Sequence, residues 1–71
     1  MTTLHYVVGV DTYDVDAPGD GELTVIATPD VWAKLTAGEL DVAVAYMQGK
    51  VKITGDQAAL YDLLPNIPLP R

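Results

Sequence analysis

The stretch Met47-Gln48-Gly49-Lys50-Val51-Lys52-Ile53-Thr54-Gly55-Asp56 changes its hydrophobic period twice in ten residues. Before Gly49 the apolar residues run unbroken from Val42 to Met47, the pattern of a short helix buried on most sides. From Lys50 to Thr54 they alternate: Val51 and Ile53 face one way, Lys50 and Lys52 the other, as in a half-buried strand. Gly49 must end the helix and launch the strand within one residue, which calls for the left-handed backbone that glycine enters cheaply. Gly55-Asp56 turns the chain again. Asp56 is placed to cap a last helix over residues 57–64, with Leu60, Leu63 and Leu64 inward and Pro65 stopping it.

Toward the N-terminus, Thr28-Pro29-Asp30 reads as a helix start: a capping hydroxyl, a proline at the first helical position, and a carboxylate at the positive end of the dipole. Val31, Trp32 and Leu35 share one face of that helix, Lys34 lies opposite, and Gly38 ends it. Asp41 is placed to cap the next helix, over residues 42–48. Earlier still, Leu4, Tyr6, Val8 and Val10 alternate with His5, Val7 and Gly9, predicting a strand over residues 4–10 that bends and resumes around Tyr13 and Val15. Pro18-Gly19-Asp20-Gly21 is a dense turn signal, and residues 22–28 then read as the returning strand of an antiparallel hairpin. The tail, with Pro68 and Pro70, reads as extended. Strands first and helices later predict an α+β fold: one small antiparallel sheet with three helices on one face.

A chain of 71 residues is one domain with a thin core, and without cysteine it has no disulfide staple and no thiolate metal site. Four basic residues against ten acidic ones, a net charge of −6, exclude a phosphate-neutralising nucleic-acid binder and disfavour an anionic membrane surface. No apolar run approaches the roughly 20 residues of a membrane span. Residues 1–6 carry neither a basic n-region nor an apolar h-region, and Pro-Leu-Pro-Arg is not a peroxisomal tripeptide, so the cytoplasm is the expected compartment.

Catalytic constellations are missing. There is no serine or cysteine, and the one histidine, His5, sits in a strand, so no nucleophile–base pair can be assembled from it by spacing. Asp11, Asp14, Asp16, Asp20 and Glu22 cluster, and Gly19 falls at the sixth position of a calcium loop starting at Asp14. The twelfth position, where that loop needs a carboxylate, is Val25. A solvated strand edge is the better reading. Lys50 and Lys52 read as the solvent face of a strand, with an anionic head group as the other use for them. The six glycines form no phosphate loop.

Thr28-Pro29-Asp30, Leu35, Gly38, Leu40-Asp41, Ala45 and above all residues 47–56 resemble the sterol carrier protein type-2 family. The family pattern there is an apolar residue, a variable one, Gly-Lys/Arg, an alternating apolar strand, and Gly-Asp/Asn. The resemblance covers residues 28–64, about half the chain. It implies a sheet covered by helices, with an apolar tunnel between them for sterols, acyl chains or similar lipids, and neither cofactor nor catalytic residue. Family members run longer, with an N-terminal helix and another strand, so the chain is expected to match a truncated, C-terminal two-thirds of the domain.

Trp32, Leu35, Val44, Met47, Leu60 and Leu64 make up the apolar faces of the three helices. They are plain core on one reading and the lining of a lipid slot on the other, where the pliant thioether of Met47 suits varied ligands. The expected function is non-catalytic binding of a lipid or other hydrophobic small molecule. The alternative is an interaction or assembly subunit whose apolar face is covered by a second copy or a partner. Without the family's N-terminal helix, Trp32, Val44, Met47, Leu60 and Leu64 are expected to leave an open patch, closed by forming a homodimer.

Overall fold

The computed structural model describes residues 1–70. The chain order is β1 (Thr2–Val8), β2 (Asp11–Ala17), β3 (Gly21–Ala27), α1 (Pro29–Thr36), α2 (Val42–Met47), β4 (Lys52–Gly55) and α3 (Gln57–Leu63), closed by a 3-10 turn, Leu64–Asn66. The strands form one sheet in the order β2-β1-β3-β4. Every second residue of β1 is buried, from Thr2 through Leu4 and Tyr6 to Val8, so the alternation seen in the sequence separates a covered inner face from an outer one. Leu23 and Val25 of β3 and Ile53 of β4 continue the inner face. Leu35 of α1, Val42 and Ala45 of α2, and Ala59, Leu60 and Leu63 of α3 join them in a single core, so all three helices lie on that face.

The sheet is mixed, which corrects the expected antiparallel sheet. β1 and β3 run parallel, Leu4 opposite Leu23 and Tyr6 opposite Val25, while β1–β2 and β3–β4 are antiparallel. The cause is local. Gly9 takes φ +60 and, with Val10, makes a two-residue turn that folds β2 back on β1. Residues 11–17 are thus a separate edge strand and not the bent end of the first. The turn at Pro18–Asp20 then carries the chain past the start of β1, where the Thr2 hydroxyl donates to the Pro18 carbonyl at 3.1 Å. Two strand spacings, about 10 Å, are within reach of the four Cα steps from Ala17 to Gly21.

The helix boundaries follow the capping signals. The Thr28 hydroxyl accepts from the Val31 amide at 3.3 Å, and the Asp56 carboxylate accepts from the Ala58 and Ala59 amides at 3.0 and 3.3 Å. Asp41 has the extended backbone of a cap but its side chain makes no cap bond. Gly49 has φ +74, and the Lys50 amide reaches back to the Ala45 carbonyl at 2.8 Å, a left-handed glycine stop that delivers the chain to the sheet edge.

Candidate functional site

The inner face is built around an aromatic group. Tyr6, in the middle of β1, is fully buried; Trp32 of α1 tilts against it with ring centroids 5.1 Å apart and stacks on Tyr13 of the edge strand at 5.3 Å and 11°. Register explains the meeting, since Tyr6 and Tyr13 are cross-strand partners on the helix-covered face. Burial pushes the Tyr6 phenol well above its usual range. Its hydroxyl donates to the Pro68 carbonyl, 62 residues away in the segment after the 3-10 turn. Ile67 and Leu69, either side of that carbonyl, pack against the core. Residues 67–70 belong to no helix or strand, yet they close the inner face over Tyr6. A cavity of about 490 Å³ separates this closing segment from α1, lined by Thr36 and residues 66–70.

The six residues expected to line the slot take three different positions. Leu35 and Leu60 are sealed in the core, each 1% exposed. Trp32 and Leu64 are half-buried against it, next to Tyr6 and the closing segment respectively. Val44 and Met47 lie on the solvent side of α2, Met47 at 74% exposure, so that helix is buried along Val42 and Ala45 and not all round. The expected open patch is corrected accordingly: of its five members Leu60 is buried and Trp32 and Leu64 half-covered, which leaves Val44 and Met47. Tyr6 and the closing segment were missed. A tyrosine amid a strand's apolar positions, with Ile67 and Leu69 set between prolines, is the signal that marked them.

His5 falls on the opposite, outer face with three of the acidic cluster, Asp14, Asp16 and Glu22; Asp11 lies opposite Val8 at the end of β2, and Asp20 sits in the turn against the N-terminal amine. His5 Nδ1 is 2.8 Å from Asp14 Oδ1 and its Nε2 3.8 Å from Glu22 Oε1. The hydrogen bond to Asp14 raises the imidazole pKa above its ordinary value. Among the described residues no His/Asp/Glu group is arranged to hold a metal ion, and no helix is long and apolar enough to cross a membrane.

A four-stranded sheet with every helix on one side and a single apolar core between the layers defines a small α+β module. The chain belongs to the SCP-2 sterol transfer family, which it matches over residues 2–63. Among solved structures it is similar to sterol carrier protein 2 like 2 from Aedes aegypti, at 20% identity over 93% of this chain and 71% of that one, with a TM-score of 0.56. It is similar as well to the stereoselective inverting sec-alkylsulfatase Pisa1 from a Pseudomonas species, at 20% identity and a TM-score of 0.53. That likeness covers 97% of this chain but 13% of the sulfatase. At such identity both are likenesses of fold. No curated protein sequence matches the chain significantly.

Proposed function

We propose that the chain binds a sterol, an acyl chain or a similar hydrophobic molecule in the seam between α1, the inner face of the sheet and the closing segment, without catalysing a reaction on it. One observation carries this reading: the hydroxyl at the centre of the inner face is partnered by the Pro68 carbonyl, in a stretch with no helix or strand bonding of its own. Ile67 and Leu69 hold the place a ligand would take. Moving them aside breaks few hydrogen bonds, and a ligand restores the apolar burial they give up, at roughly 25 cal/mol per Å². The neighbouring cavity of about 490 Å³ falls within the size range of small-molecule sites. The residues present favour a non-catalytic role: the sequence has no serine or cysteine, and its one histidine, the base a threonine nucleophile would need, is engaged by Asp14 on the far face. The homodimer draws its support from Val44 and Met47 alone.

Trp32 is the only tryptophan and touches Tyr6, so it reports on the seam directly. Titration with a fluorescent sterol or a fluorescent long-chain acyl probe is expected to give saturable energy transfer from Trp32. Native mass spectrometry is expected to find lipid co-purifying with the chain. No transfer with either probe, together with lipid-free protein, defeats the reading.

A further inference from the structure

The sheet face turned away from the helices carries a gradient of polarity. Register sets three rows across it: Thr12, Val7, Ile26 and Lys52; then Asp14, His5, Thr24 and Thr54; then Asp16, Thr3 and Glu22. The first row is apolar at its centre and cationic at the β4 edge, and the third is acidic. Beside the first row lies an open groove of about 400 Å³, with Val7, Ile26, Pro29, Lys50 and Lys52 in its walls. Ile26, the penultimate residue of β3, is 44% exposed there. In a chain with ten carboxylates and four basic side chains, neither Lys50 nor Lys52 is paired with a carboxylate among the described residues. An apolar strip ending at two unpaired ammonium groups is complementary to a molecule with an alkyl chain and an anionic head.

We propose that this groove is a second binding site, on the opposite side of the sheet from the seam, for a single-chain amphipathic anion such as a fatty carboxylate. The alkyl chain lies along Val7 and Ile26, and the head sits at the water's edge against the Lys50 and Lys52 ammonium groups. The same face argues for a small ligand and against an anionic bilayer. A flat surface brought onto the groove would also meet Asp14, Asp16 and Glu22 one and two rows away. Rows are roughly 7 Å apart along the strands, so those charges lie within about two Debye lengths at physiological salt. A ligand confined to the groove stays clear of them. The site does not depend on the seam, which lies on the other side of Tyr6 and Val25.

Amide spectra of the isotope-labelled chain, titrated with dodecanoate below its micelle concentration and with dodecanol, separate the two faces. Dodecanoate is expected to perturb Val7, Ile26 and residues 49–52, and to bind about tenfold more tightly than dodecanol, the scale of two exposed ion pairs. The double variant Lys50→Gln, Lys52→Gln is expected to erase that preference while leaving the Trp32 emission of the folded chain unchanged. Perturbation confined to Tyr6, Trp32 and Ile67 would place the anion in the seam and overturn the site. Equal affinity for dodecanoate and dodecanol would overturn it too. So would phosphatidylglycerol-containing vesicles perturbing the groove amides when free dodecanoate does not.

Discussion

The two faces of the sheet are made by alternate residues of the same strands, yet they are different surfaces. Leu4, Tyr6 and Val8 of β1 are buried under helices and the closing segment, while Thr3, His5 and Val7 between them are half-exposed and uncovered. The inner face is held by shape: leucine, valine and aromatic side chains in contact with three helices. The outer face is held by cross-strand pairs alone, and its residues remain available to solvent. What a residue contributes is therefore set by the parity of its position more than by its type. The sharpest case is Leu23 against Ile26 of β3, similar in size, one sealed at 1% exposure and the other at 44%.

That pair gives the largest expected effect. Leu23→Ala should cost about 2–5 kcal/mol, the transfer free energy plus the cavity left under the helices. Ile26→Ala should cost no more than about 1 kcal/mol, because it removes exposed surface and no enclosed volume. Urea unfolding of the two variants checks it, and equal losses would mean that the helices do not enforce the division. In a domain this small the first variant is expected to be partly unfolded at 37 °C.

The parity of the strands was legible from the sequence, and so was the helical layer, because period and caps are local: Thr28, Gly49 and Asp56 each act within a few residues. Which strands pair was not. Alternation assigns faces but says nothing of neighbours, and the parallel β1–β3 pairing depends on the Gly9-Val10 turn placing β2 on the far side of β1. The site was half legible for the same reason. Trp32 and Leu64 were found as apolar helix residues, and both lie at the edge of the core near the seam. Tyr6 joins it through contacts with Trp32 and Pro68, distant in sequence, that no local pattern contains. Met47 lies on the solvent side of α2 because Val42 and Ala45 take the side that meets the core, which a short apolar run cannot show by itself.

Gly49 joins the helical layer to the sheet edge, so changing it tests whether the two layers are tied by backbone geometry. A Cβ there meets no other atom, and the whole penalty of Gly49→Val is conformational, about 1–3 kcal/mol. Gly55→Ala sharpens the point. Gly55 has φ +123, and its Cβ would run into the Glu22 carbonyl oxygen, so even this smaller substitution is expected to exceed the same range. An unchanged melting temperature for Gly49→Val would remove the argument from its positive φ.

Tyr6→Phe probes the inner face without changing its shape. It removes the hydroxyl that holds the Pro68 carbonyl and should cost about 0.5–1.5 kcal/mol. The more telling readout is local. Amide exchange at Ile67 and Leu69 should speed up relative to Leu23, and the affinity of an acyl probe should rise as the closing segment gives way more easily. Slower exchange or weaker binding would show that the segment braces the seam and does not cover it.

The smallest effect belongs to the outer face and is electrostatic. The His5 imidazole is raised above its usual value chiefly by the hydrogen bond to Asp14; desolvation opposes it, and the charges of Asp14 and Glu22 add smaller upward contributions. A histidine whose folded pKa exceeds its unfolded value binds its proton more tightly in the folded chain. Its contribution is therefore complete below about 6.5 and fades as the pH rises through the folded value. Relative to His5→Gln, the native chain should melt at a slightly higher temperature at pH 5.5 than at pH 8.5, and added salt should shrink that difference because the side chain is exposed. Asp14→Asn should lower the midpoint of the His5 ring titration followed by NMR, since it removes the largest cause of the shift. The inner face has no part in this: Tyr6, at its centre, is pushed upward and neutral throughout that range. A midpoint at or below 6.5 in the native chain, or a melting difference that persists in high salt, would show that the outer face is held by something other than its cross-strand charges.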